Sequence, residues 1–133
     1  MIEIINPAHV NRVWPMAEPF IEEALVYSCG DYTLDQAKTL VAVGAWTLLV
    51  SVDEAGINGA ATVSFSNRPD DRVAFITAMG GKFVVNQESV DTLKHVLGSV
   101  GATCIEGAVR DSVERLLSQH GFTPKYRVVG VKI

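Results

Sequence analysis

The hydrophobic positions between Val73 and Val100 change period once. Val73, Phe75, Ile76, Ala78 and Met79 form an apolar run with β-branched residues, the pattern of a strand buried on both faces. The run leads into Gly80-Gly81. From Asn86 the apolar residues return at helical spacing, with Val90, Leu93, Leu97 and Val100 on one face. A strand that ends in glycines and leads to a helix N-terminus is a ready anion site. The free N–H groups point outward, the helix dipole favours negative charge, and glycine lets a ligand approach the backbone. The alternative for Gly80-Gly81 is a tight turn.

The other elements follow in order. Ile2 to Ile5 reads as a short strand, broken by Asn6-Pro7. Val10, Val13, Trp14, Ala17, Phe20, Ile21, Ala24 and Leu25 then fall at helical spacing, with Pro15 and Pro19 interrupting them. Each proline removes a donor, so the pattern predicts a kinked helix or two short ones meeting near Trp14-Pro15. Cys29-Gly30-Asp31 closes it. Thr33 with Gln36 is a capping box for a second helix that buries Leu34, Ala37, Leu40 and Val41 and ends at Gly44.

Three strands come next: Trp46 to Val52, Ile57 to Ser66 beyond a hairpin turn at Asp53 to Gly56, and the central run from Val73. Gly59-Ala60-Ala61 keeps one patch flat, as where another backbone or a ligand packs closely. After the helix of Asn86 to Val100, Thr103 to Ala108 reads as a strand parallel to the central one. Asp111 with Glu114 predicts a capped helix that buries Val113, Leu116 and Leu117 and stops at Gly121-Phe122. Tyr126 to Ile133 reads as a closing strand. The predicted architecture is α/β, with helices on both faces of one mixed sheet. An antiparallel meander meets a parallel crossover at the central strand, where neighbours splay and ligands find unpaired backbone. That point is Ala78 to Gly81.

Composition narrows the function classes. With 48% hydrophobic and 20% charged residues, 133 residues make one globular domain. A net charge of −4 with no Lys/Arg run excludes a dedicated nucleic-acid surface. Cys29 and Cys104 lack metal-ligand spacing and read as reduced thiols, and no apolar run approaches the ~20 residues of a membrane span. The expectation is a cytoplasmic protein with neither a metal nor a membrane partner.

The C-terminal stretch IEGAVRDSVERLLSQHGFTPKYRVVGVKI, residues 105–133, resembles the C-terminal region of the GNAT acyltransferase superfamily, with Gly121-Phe122 at that family's Gly-Phe. HVNRVWPMAEPFIEEAL, residues 9–25, is similar to small GNAT-like proteins encoded by bacteriophages. The Ile-x-Gly-Ala-Ala strand after the acidic turn fits the same family. The resemblance implies a GNAT-like acyl-CoA N-acyltransferase fold, a mixed sheet of about six strands with helices on both faces. It implies acetyl-CoA or CoA as cofactor and N-acyl transfer as the activity, and it allows a homodimer. The alternative it carries is a phage-encoded interaction protein that modulates a host protein with weak or no transfer. An exposed apolar patch, sought at Trp14 and the Arg68 to Arg72 loop, would mark that alternative.

The sequence also departs from the family. Its acyl-CoA loop, Gln/Arg-x-x-Gly-x-Gly/Ala, is replaced by MGGKFVVNQ, residues 79–87, and Leu117 stands where a general-acid tyrosine is often found. The Asn common after the next strand is replaced by Val109-Arg110-Asp111. Acyl transfer needs a neutral amine, a polarised thioester carbonyl and a proton for the thiolate. By resemblance, the amides of Met79 and Gly80 polarise the carbonyl, and Ala78 and Gly81 complete the cofactor contact. Lys82 and then Arg110 are the cations for phosphate. Glu106, mid-strand beside the cleft, is the candidate base, with a solvated face as its alternative. His120 and Tyr126 flank the Gly-Phe and are the candidate acids. A helix C-terminus also favours His120 for its dipole alone.

Overall fold

Strand pairing begins at the first residues. In the computed structural model, which describes residues 1–28, 30–83 and 86–133, five strands form one sheet in sequence order. They are β1 (Ile2–Ile5), β2 (Thr47–Asp53), β3 (Gly56–Asn67), β4 (Arg72–Gly81) and β5 (Cys104–Gly107). β1 to β4 pair antiparallel, and β5 joins β4 in parallel, as a strand–helix–strand crossover requires. The hairpin between β2 and β3 turns where the acidic residues predict it, with the Ala55 N–H donating to Asp53 Oδ1 at 2.8 Å.

The helices are α1 (Val10–Leu25), α2 (Leu34–Ala42), α3 (Gln87–Ser99) and α4 (Asp111–Ser118), with a single 3-10 turn at Pro7–His9 before α1. α1 and α2 cover one face of the sheet. Val10, Trp14, Ala17 and Ile21 of α1 and Ala37 and Val41 of α2 bury there against Leu48, Val50, Ala60 and Ala78. Leu93 and Leu97 of α3 cover the other face with Leu49, Ala61, Val63, Ala74 and Phe83. The period-2 alternation of β2 and β3 feeds both layers, which is why their runs are apolar on both faces.

Four expectations change. α1 is one helix across Pro15 and Pro19 and not two short ones, because both prolines and Asn11 lie on the solvent side, where water can satisfy the carbonyls the prolines leave unpaired. Asp111 is not a capping residue. Arg110 holds the N-cap position of α4 without a side-chain bond, and Asp111 and Glu114 sit in the first turn, where they complement the dipole. α4 does not bury Val113, Leu116 and Leu117: the first and last are half-buried and Leu116 is exposed, because among the described residues no other element packs over the helix. No strand forms over Tyr126 to Ile133, so the sheet has five strands where six are expected. A β-branched segment becomes a strand only when it pairs with an edge, and this one pairs with none. The expected helix end at Cys29 lies outside the described residues, as do Val84 and Val85 of the MGGKFVVNQ loop. By contrast, the Thr33–Gln36 capping box forms in both directions, at 2.9 and 3.1 Å. Gly121 takes φ +89°, and the Phe122 N–H returns to the Leu117 carbonyl at 3.3 Å, the predicted helix stop.

Candidate functional site

The parallel pairing of β4 with β5 is short. It runs from Val73↔Cys104 to Ile76↔Gly107 and ends there, although β4 continues to Gly81 along β3. The parting has a local cause. β3 pairs Val63 with Ile76 and Thr62 with Ala78, so Thr77 is the extra residue of a β-bulge. The bulge reverses the phase of the strand. Ala74 and Ile76 face α3, whereas Ala78, two residues on, faces α1. The Thr77 hydroxyl holds the bulge: it donates to the Thr62 carbonyl at 3.0 Å and lies 2.7 Å from the fully buried Thr62 hydroxyl. Beyond it, among the described residues, no strand pairs with Thr77 to Gly81 on the β5 side. A wedge of open backbone results between the two strands.

α1 closes one wall of this wedge. A Cβ on Gly80 would lie 2.2 Å from the Phe20 carbonyl oxygen, and one on Gly81, at φ +76°, 2.4 Å from the Asn58 carbonyl oxygen. Both glycines are therefore required by the approach of α1 and β3. Gly59 is flat for the same reason, since its Cβ would meet the Gly80 carbonyl at 3.0 Å. Gly81→Asp, an apparent way to block an anion, would break the fold first. At the open end, the Arg110 guanidinium stacks 3.9 Å over the Tyr27 ring, linking the segment after β5 to the end of α1. Lys82 follows β4 and is exposed, with its N–H donating to the Asn58 carbonyl at 2.9 Å.

Glu106 sits one residue before the pairing ends. Arg68 donates to both of its oxygens, at 2.6 and 2.8 Å, and Lys125 donates at 2.6 Å. The Arg68 guanidinium first, and the Lys125 ammonium after it, hold the Glu106 carboxyl down at about 2, against an ordinary 4.5. Such a group stays ionised and has little affinity for a proton at neutral pH, a poor match for a general base. Tyr126 adjoins the same cluster through Arg68. His120 is held elsewhere, its Nδ1 3.0 Å from Gln87 Oε1 at the start of α3. The candidate acids and base thus divide between two places, Glu106 with Tyr126 and His120 with Gln87.

Thr77 and Thr62, which shape the wedge, and Tyr27 and Arg68, which anchor its flanks, carry no motif in the sequence. A threonine inside an apolar run was the sole signal for the first.

A mixed sheet with helices on both faces and a central strand that leaves its parallel neighbour defines the GNAT acyl-CoA acyltransferase fold, and the chain has this fold. It is similar to an aminoglycoside acetyltransferase from an uncultured soil metagenomic sample, solved with sisomicin, at TM-score 0.69 and 12% identity over 100% of this chain and 94% of that one. It is similar also to the aminoglycoside N-acetyltransferase AAC(6')-Iy in complex with CoA, at TM-score 0.68 and 11% identity over 100% and 93%. A third likeness is to the BH1408 protein of Bacillus halodurans, at TM-score 0.60 and 15% identity over 100% and 99%. No protein-family model matches the sequence, and no curated protein matches it either.

Proposed function

We propose that residues 1–133 form one acyl-CoA-binding domain of GNAT type that transfers an acyl group to an amine. The observation that supports this is the Thr77 bulge, which parts β4 from β5 and leaves the main chain of Thr77 to Gly81 open toward β5. Unpaired strand backbone is a donor and acceptor array for an amide-bearing ligand. A bound acyl-CoA would supply the activated thioester. The amides of Met79 and Gly80 would be the donors that polarise its carbonyl, and Ala78 and Gly81 would bound the cleft. Lys82, exposed and close enough to Asp53 to help hold its carboxyl ionised, would meet phosphate as a cation, and Arg110 would do so after leaving or sharing its Tyr27 stack. Glu106 acts here by fixing Arg68 and Lys125 and not by taking a proton. Tyr126, beside Arg68, is the better placed of the two acid candidates, because His120 is tied to Gln87.

Titration calorimetry with acetyl-CoA and with CoA tests the proposal. Micromolar binding is expected, weakened by about tenfold in Lys82→Glu and in Arg110→Glu, the size of one lost charge contact. A wild-type protein that binds neither ligand overturns it.

A second reading, a GNAT-fold interaction protein of bacteriophage type acting on a host protein in its cytoplasm, is favoured by the apolar surface of the last residues. Its expected patch moves. Trp14 is 2% exposed and belongs to the core, and the Arg68 to Arg72 loop is engaged, Arg68 with Glu106 and Arg72 over the Phe65 ring. Exposed apolar side chains cluster in sequence instead at Val128, Val129, Val131 and Ile133. This reading gains if CoA fails to bind.

A further inference from the structure

On the α3 face of the sheet a groove of about 510 Å³ opens between α3, the start of β5 and residues 120–125. None of Thr77 to Gly81 lines it, so it is not the wedge. Its size is that of a small-molecule site. The floor is apolar. Leu97 is fully buried, and Ile105, Phe122 and the Cys104 thiol lie half-buried beside it. The wall opposite α3 is fastened at both ends. His120 Nδ1 lies 3.0 Å from Gln87 Oε1, and Lys125 Nζ donates to Glu106 at 2.6 Å. The carbonyls of Leu97 and Gly98, at a helix C-terminus, would by themselves repel an anion. They are already taken by the N–H groups of Val100, Gly101 and Ala102, at 3.2, 3.0 and 3.1 Å.

The chain has a net charge of −4, yet no carboxylate lines this groove, whereas Lys94, His120 and Lys125 do. Lys94 is exposed and forms no ion pair among the described residues. Lys125 gives one of its three N–H groups to Glu106, and Arg68 holds both oxygens of that same carboxylate. The three groups together therefore keep one positive charge in excess. An apolar floor under a positive rim matches a molecule with an apolar body and an anionic end. We propose that the groove is a second site, separate from the wedge, that binds a small aliphatic carboxylate. Its chain would lie on Leu97, Ile105 and Phe122, and its carboxylate would meet the two lysines of the rim. A neutral or cationic molecule of the same length gains nothing from that rim. The site does not rest on acyl transfer and needs no bound CoA.

Titration calorimetry of the full chain with octanoate, in the absence of CoA, tests it. Saturable binding is expected, with octanol at least about tenfold weaker, the size of one lost charge contact. Lys94→Glu is expected to weaken octanoate by about tenfold for the same reason. Gly98→Phe tests the groove itself. A Cβ at Gly98 meets nothing within 4 Å, so a ring there fills space and displaces no atom. Removing a glycine from a helix also favours the fold. Its circular dichroism is expected to match wild type and its octanoate binding to be lost. Alkylation of Cys104, followed by peptide mass, places the ligand. Octanoate at about ten times its Kd is expected to slow that reaction about tenfold. Four results overturn the proposal: no saturable binding by the wild type, equal affinity for octanol, undiminished binding in a folded Gly98→Phe or in Lys94→Glu, or Cys104 alkylation that octanoate leaves unchanged. The last includes a groove already covered by the chain's own tail or by a second copy, where Cys104 is unreactive from the start.

Discussion

Glu106 is the residue on which sequence and structure differ most in chemistry. On paper it is a mid-strand carboxylate beside a cleft. In the fold, two cations claim its oxygens, and its pKa falls to about 2. A carboxyl whose folded pKa is depressed adds stability that is complete above its unfolded value. That stability is lost as pH falls through the folded one. Its contribution is therefore expected to be full above pH 4.5 and to disappear between 4.5 and about 2. Glu106→Gln should be less stable by about 1 kcal/mol at neutral pH, a figure discounted because Arg68 and Lys125 are solvent-screened. Below about pH 2 the two proteins should converge. Urea midpoints across that range decide it, and a constant difference down to pH 2 would remove the ion pairs as its cause. If acyl transfer is found, the same variant should keep most of its turnover, since the carboxylate is not a proton acceptor.

Within β4, one hydroxyl sets the geometry of the cleft. Valine at position 77 has the shape of threonine and lacks the oxygen. Thr77→Val would remove the bond to the Thr62 carbonyl and strand the buried Thr62 hydroxyl, at a cost of about 2 kcal/mol. A lower urea midpoint with an unchanged slope is the expected signature. The bulge would be less firmly held, so acetyl-CoA affinity should fall more than in a substitution of equal cost far from the strand. Equal affinity in both would detach the bulge from binding. α1 obeys the same logic at the level of an element. Its four buried residues recur every three or four positions, and that seam holds it as one helix through two prolines.

The whole molecule divides into a covered body and an uncovered end. The body has helices on both faces of its sheet and two apolar clusters. The end, from α4 onward, gains little from its own chain.

Period, capping and turn chemistry act through neighbours in the chain, and these the sequence determined by itself. They include the 3.6-residue face of α1, the Thr33–Gln36 and Asn86 caps, the hairpin at Asp53 to Gly56, and the helix stop at Gly121. The sheet order followed from them, since short loops force antiparallel neighbours and a crossover helix forces a parallel one. So did the place of the cleft, at the strand where the two rules meet. Contacts between distant residues were decided only by the tertiary structure. Phe20 stands behind Gly80 across about sixty positions of chain, so a glycine that reads as room for a ligand is room for a helix. Arg68 and Lys125 converge on Glu106 from opposite sides in sequence, so a candidate base becomes an anchored anion. Tyr126 to Ile133 is β-branched but alternates only loosely, and whether it is a strand depends on pairing that no local pattern can supply.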